Sequence, residues 1–336
     1  MKKILITNYY GLIEALQLSA NALSKLNNEI YDYPLFKYSR DLNDKLENYE
    51  EHMIKYVQDN QIDVILWWYA GIETEKMEII VNKTNVKNIF FNWDEPFNWK
   101  SCDIYNKAKL WDAVFVSCKE TLQQYLDHGT KKSFYLLPGY DEKTHYPIFE
   151  CNQYIEDLEK KYTCDISICV TNLYENLNDF NAQYLNRRPF LDNLYNNQDK
   201  YHFKFFIYGP EFLKNIYPKS YRGFISYENT KYVFNYSKIN LCTHVISNKY
   251  GYINERCILI AGCGGLLYVD PVKGIEEIFQ NNVNCVHIDK NNYLSQISSI
   301  LHNYSKYYKI RHNIYNTSKN FTYDKWAEKI SGYLDE

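Results

Sequence analysis

Asn254, Glu255 and Arg256 stand side by side in the stretch YGYINERCILIAGCGGLLYVD, directly ahead of a short apolar run of helical character that leads to a glycine pair and a hydrophobic strand. Two chemistries fit that placement. The triplet is an ordinary helix start, with an amide as N-cap and a carboxylate in the first turn. Alternatively, the helix carries its polar end to a ligand. The standard phosphate and hydrolase signatures are absent. There is no G-x-x-x-x-G-K-[ST], no D-x-D, no H-E-x-x-H and no G-x-S-x-G, and the first strand is followed by NYYG rather than G-x-G-x-x-G. GCGG follows a helix and precedes a strand, the wrong order for a dinucleotide loop. It reads as a helix C-cap with tight packing.

The elements that must position these residues alternate between strand and helix. KILITN, DVILWWYA, KNIFFNW, DAVFVS and SFYLLP are strands, separated by periodic segments such as IEALQLSANALSKL and KETLQQYLDHG. PGYDEKTHYPIFECNQ and the charged helix YIEDLEKK break the rhythm. A second series follows, with DISICV, FKFFIYG, SKINLCT, GLLYVD and NCVHID as strands and RRPFLDNLY and YDKWAEKISGYL as helices. Continuous apolar strands alternating with helices predict parallel sheets covered on both faces, an α/β class with two doubly wound domains. The boundaries expected are 1–145, a linker over 146–163, 164–320, and a tail helix at 321–336 returning to the first domain on Trp326 and Tyr333.

Composition narrows the function. The chain has 336 residues, 46% of them hydrophobic, a length for two domains. Net charge is −3, which supplies no basic field for nucleic acid. No apolar run is long enough to cross a bilayer, and MKKILITNYYG is too short in its apolar part for a signal peptide. Nine scattered cysteines without a C-x-x-C pair argue against a disulfide framework or a zinc ribbon and predict a cytoplasmic setting. The 35 tyrosines, with abundant Asn, Lys and Ile, reflect an AT-rich genome, of a low-GC bacterium or of a large DNA virus acting in its host cell.

From about residue 90 onward, a series of segments resembles in order the glycosyltransferases of the GT-B fold, in the glycosyl transferases group 1 branch that includes the spore-maturation CgeB-like proteins. The segments are NWDEP (92–96), LPGYDEKTHYP, DISICVTNLY with RRPFLDNL, FIYGP, YRGFISYE, YSKINLCTH and, most closely, NERCILIAGCGGLLYVD with GIEEIF. The resemblance implies two Rossmann-like domains facing a central cleft, the first (1–145) for the acceptor and the second (164–320) for the nucleotide sugar, with a nucleotide-diphosphate sugar as donor (a UDP-sugar or GDP-sugar), a glycan or other hydroxyl acceptor, and no metal. Related retaining enzymes carry a ribose-binding glutamate inside the helix just before the small-residue pair. Leu259 stands there, with Glu255 one turn earlier.

The same resemblance assigns roles. Breaking the anomeric bond builds negative charge on the diphosphate, which cations and helix N-termini stabilise. Arg188, ahead of its neighbour Arg187, and Arg256 are the expected cations, against surface or salt-bridge roles, the latter to Asp270 or Glu277. Gly11, Gly209, Ile225, Tyr227, Lys238, His244, Tyr252, Asn254 and Glu255 complete the expected donor site, each with a plain structural alternative. Asp94 is the expected general base, among Trp93, Phe97 and Trp99 as a sugar-stacking wall, with Glu95 solvated. A nucleotide-sugar epimerase and a non-catalytic carbohydrate- or nucleotide-binding protein remain alternatives on the same scaffold.

Overall fold

The runs VILW and AVFV contain no polar residue, and a strand of that kind is stable only when both its faces are covered. In the computed structural model they are β3 (Val64–Trp67) and β5 (Ala113–Val116), buried at every position. The structure describes residues 1–93, 95–148, 153–173 and 185–336, with the backbone alone at 153–155. The chain divides into two compact units, the first formed by residues 1–139 with 323–336 and the second by 140–322.

In the first unit, β1 (Lys3–Thr7), β2 (Glu29–Tyr33), β3, β4 (Lys87–Asn92), β5 and β6 (Lys132–Tyr135) form a parallel sheet in the order β2-β1-β3-β4-β5-β6. Side chains alternate between two cores. Leu5, Ile65, Trp67 and Phe90 face one, and Ile4, Ile6, Leu66 and Phe91 face the other. The second core is closed by helix Glu14–Lys25 and by the C-terminal helix Tyr323–Leu334, whose Trp326, Ile330 and Tyr333 are buried there.

In the second unit, β7 (Cys164–Cys169), β8 (Phe205–Tyr208), β9 (Ser237–Cys242), β10 (Leu267–Val269) and β11 (Val286–His287) form a parallel sheet in the order β11-β10-β9-β7-β8. Both orders reverse direction once, between β1 and β3 and between β7 and β9. In open parallel sheets the crevice at the carboxyl ends of such a pair is where ligands bind. Among the described residues no helix is long and apolar enough to cross a membrane.

Helix Glu255–Gly262 packs its apolar side inward, with Cys257 and Ile260 fully buried and Ile253 buried just ahead of it. The glycine cluster behind it is a stop signal. Gly264 takes a left-handed φ of +63°, its N–H donates to Ala261 O, and Gly265 N–H donates to Ile260 O. That is a Schellman C-cap.

Candidate functional site

The carboxyl edge of the second sheet is tied together by Arg187. Its Nε donates to Thr243 Oγ1 at 2.9 Å, its Nη2 to Thr243 O at 2.8 Å and its Nη1 to Asn172 O at 2.8 Å. Thr243 follows β9 and Asn172 follows β7, so one buried guanidinium clamps the two strand ends that flank the crevice. Arg188 turns elsewhere. Its Nε meets both carboxylate oxygens of Asp192, at 2.8 and 3.0 Å, one helical turn along, and its guanidinium lies over Tyr217. Consecutive helix side chains point about 100° apart, so the two arginines take different partners. The expectation had put Arg188 first.

Next to the clamp, His244 and Asp270 are wholly buried and joined at 2.6 Å between Nδ1 and Oδ1. The His244 backbone N–H also donates to the Asp270 carboxylate. Burial pushes the imidazolium down, but the Asp270 charge and hydrogen bond, with Cys242, outweigh it and raise its pKa above the ordinary histidine value. His244 therefore braces the floor of the edge. Its Nε2 sits 4.0 Å from Cys257 Sγ.

Helix Glu255–Gly262 opens onto this edge. Asn254 is its N-cap, accepting from Arg256 N–H at 2.9 Å. Glu255 accepts the Tyr227 hydroxyl at 3.0 Å, and the Tyr227 ring is held edge-on by buried His145. Arg256 differs from its neighbours. Its Nη1 is buried and has no hydrogen-bond partner among the described residues, and the Asp270 carboxylate that was its expected partner is taken by His244. Its charge acts on Cys169 at the end of β7 and on Cys242 and His244 at the end of β9, which places the guanidinium beside the crevice between those strands. A buried donor without a partner is costly, and an anion from outside would satisfy it.

The remaining expected donor residues separate. Tyr252 is buried edge-on against His244. Ile225 is half-buried, beyond an exposed Phe224. Gly209 is required by packing. A Cβ there would lie 2.1 Å from Val170 O. Lys238 is misplaced by the expectation. It stands near the start of β9, with its ammonium 2.8 Å from Asp165 near the start of β7, so it belongs to the amino edge of the sheet, away from the crevice. Gly11 belongs to the first unit, where it lines a pocket.

That pocket has a volume of about 430 Å³ and sits at the carboxyl ends of β1, β3 and β4. Thr7 at the end of β1 holds the segment after β3, its Oγ1 donating to Tyr69 O at 2.8 Å. Trp68 and Trp93 face each other at 5.3 Å, backed by Phe91 and Trp326. Asn92 and Asn98 pair through their amides, at 2.7 and 2.9 Å.

Asp94 lies outside the described residues. Its neighbour Glu95 is completely buried, contrary to the solvated role expected for it. Tyr125 donates to Oε1, Asn92 Nδ2 to the same oxygen at 2.7 Å, and Trp99 Nε1 to Oε2 at 2.7 Å. Burial raises the carboxyl pKa to about 7 even though these donors oppose the shift. Trp99 is thus an internal donor and no part of a pocket wall, and of the three aromatic residues expected there only Trp93 lines the cavity. Reading the sequence missed Trp68, Tyr69 and Asn98. Their signal was position, directly after the strands that flank the crevice.

No curated protein matches the sequence. Residues 187–332 match the family model described as glycosyl transferase-like. Among solved structures, the chain is similar to Anabaena HepE in complex with UDP and glucose, at 11% identity and a TM-score of 0.68 over 100% of both chains. It is also similar to a glycosyltransferase from Rickettsia africae, at 13% identity and 0.65 over 99% of this chain and 97% of that one. Sucrose-phosphate synthase from Thermosynechococcus elongatus gives 12% and 0.67 over 100% and 98%. The fold is that of the GT-B glycosyltransferases, and over residues 187–332 the chain carries a glycosyl transferase-like domain.

Proposed function

We propose that the protein transfers a sugar from a nucleoside-diphosphate sugar, a UDP-sugar in the first place, to a hydroxyl acceptor, with no metal required for the chemistry. One observation carries the reading. Arg256 holds a buried guanidinium nitrogen, without a hydrogen-bond partner among the described residues, at the N-terminus of a helix, beside the crevice of a parallel sheet, inside the family-matched segment. As the anomeric C–O bond breaks, the leaving diphosphate gains negative charge. A fixed cation and the positive end of a helix dipole stabilise that charge without reorganising. The Arg187 clamp and the His244–Asp270 pair keep the edge rigid, and Glu255, which accepts the Tyr227 hydroxyl, is the residue of this edge that would meet a ribose or sugar hydroxyl. HepE was solved with UDP, which supports UDP as the first nucleotide to test.

Calorimetric titration of UDP in the presence of EDTA tests the donor site. Saturable binding is expected, weakened at least tenfold in Arg256→Ala, the loss of one charge-assisted contact. Equal affinity in the variant, or no binding to the wild type, overturns it. In the same reading Asp94 is the base that takes the acceptor proton. Asp94→Asn is expected to lower kcat by a factor of about 10²–10⁴ with UDP affinity unchanged. An unchanged kcat removes Asp94 from the mechanism.

A further inference from the structure

Cys242 is the last residue of β9, and Cys257 stands in the first turn of helix Glu255–Gly262, directly after Arg256. Their sulfurs are 3.4 Å apart, with Cys257 Sγ donating to Cys242 Sγ, and both side chains are wholly buried. Both are free thiols. His244 Nε2 lies 4.0 Å from Cys257 Sγ while its Nδ1 is fixed on Asp270, so the imidazole is held against the pair. A disulfide needs its sulfurs at about 2.05 Å, so a movement of about 1.3 Å would close the gap.

The two thiols differ as a nucleophile and its resolving partner must. Burial disfavours a thiolate at Cys242, yet the hydrogen bond from Cys257 and the charges of Arg256 and His244 bring its pKa down to about 6. Cys257 is pushed well above the ordinary thiol range by burial and by Cys242. Hydrogen peroxide is little larger than water and reaches a buried pair of this kind when the helix start opens locally. The Cys242 thiolate attacks one peroxide oxygen and the O–O bond breaks. Cys242 is oxidised to the sulfenic acid, and the hydroxide that leaves takes up the proton Cys242 had released, giving water. Cys257 Sγ then attacks the Cys242 sulfur. The S–S bond forms, the S–O bond breaks, and the oxygen leaves as water with the Cys257 proton. Two thiols have lost two electrons, and one peroxide has gained them.

We propose that Cys242 and Cys257 form a reversible redox site, closed to an intrachain disulfide by hydrogen peroxide or another small hydroperoxide, and that closure draws the start of helix Glu255–Gly262 toward β9 and weakens nucleotide binding. Arg256 precedes Cys257 in the chain, so the bond moves the backbone that carries its guanidinium. The bond follows from the sulfur pair alone, and its effect on the nucleotide rests on the donor site of the proposed function.

The test exposes the full chain to hydrogen peroxide, blocks the remaining thiols with N-ethylmaleimide in denaturant, and reads the peptides by mass spectrometry. A peptide pair joined through Cys242 and Cys257 is expected, two hydrogens lighter than the thiol peptides and separated again by dithiothreitol. Cys263, wholly buried at the other end of the same helix with its thiol pushed up by burial, is expected to remain a thiol. No joined pair, or Cys242 joined as readily to Cys263, overturns the redox site. UDP titration of the reduced and oxidised chains is expected to show affinity at least fivefold weaker after oxidation, restored by dithiothreitol. Equal affinity overturns the action on the helix. Cys257→Ala is expected to bind UDP and to lose the response to peroxide, and a response of the same size in that variant places its cause elsewhere and overturns the proposal. If neither redox form binds UDP, the donor site fails and the action on nucleotide binding fails with it, while the joined peptides still decide the redox site.

Discussion

Arg187 and Arg188 show how a single residue's role follows from its angle on a helix. Both were visible as candidate cations, but sequence alone carries no phase that says which one faces the sheet. The structure gives the strand-end clamp to Arg187 and leaves Arg188 to Asp192. Glu95 shows the same limit. A charged residue after a strand reads as solvated, and only the fold reveals Tyr125, Trp99 and Asn92 converging on it. Its pKa, raised from 4.5 to about 7, has a measurable consequence. The folded state holds this proton more tightly than the unfolded chain. The carboxyl therefore costs nothing below about pH 4.5, its cost grows between there and pH 7, and above pH 7 it reaches about 3 kcal/mol. Glu95→Gln should remove that slope. The difference in unfolding free energy between wild type and variant, followed by denaturant titration, is expected to move in favour of the variant as pH rises from 5 to 8. A difference flat with pH would show that Glu95 titrates normally. By contrast, Asn254 as N-cap and the glycine C-cap were legible, because both follow from local backbone geometry.

At the scale of elements, the buried strands were legible because a run such as VILW has no other use. The strand β2 was not. Its sequence EIYDY sits at the sheet edge with one buried residue, and a half-covered strand with alternating polar side chains resembles a loop. The helix Glu255–Gly262 was legible in type, and its close packing is testable. A Cβ on Gly262 would lie 2.5 Å from the Tyr140 ring. Alanine would gain about 1 kcal/mol of helix propensity but force the ring aside, at a cost of roughly 1–3 kcal/mol. Gly262→Ala is expected to destabilise the second unit on balance. A stabilised variant would mean that Tyr140 yields freely. In the first unit, Trp326 of the C-terminal helix backs Trp68 and Phe91, so Trp326→Ala should cost roughly 3–5 kcal/mol in the unfolding of that unit and loosen the aromatic wall. A loss under 1 kcal/mol, read by thermal unfolding, would show that the tail helix does not support the pocket.

For the molecule as a whole, the two-sheet α/β plan could be read from alternation alone, while the expectation of the acceptor on the first domain and the nucleotide sugar on the second came from the family resemblance. Each sheet has its own switch point. One carries Arg256, with a buried guanidinium nitrogen, at a helix end, and the other an aromatic pocket. Gly11 was expected in the loop after the first strand and stands there, lining the first unit's pocket, whereas Lys238 was expected beside the strand INLCT without knowledge of which edge of the sheet would hold it. The central claim of the proposed function is transfer of a sugar from a nucleoside-diphosphate donor, held at the Arg256 edge, to a hydroxyl acceptor. The measurement closest to that claim is mass spectrometry of a reaction holding the protein, a UDP-hexose, a saccharide and EDTA. The account predicts UDP release matched by a saccharide heavier by one hexosyl residue, with both lost in Arg256→Ala. UDP-hexose that binds but stays intact, or that releases UDP with no glycosylated product under any saccharide acceptor, would contradict it.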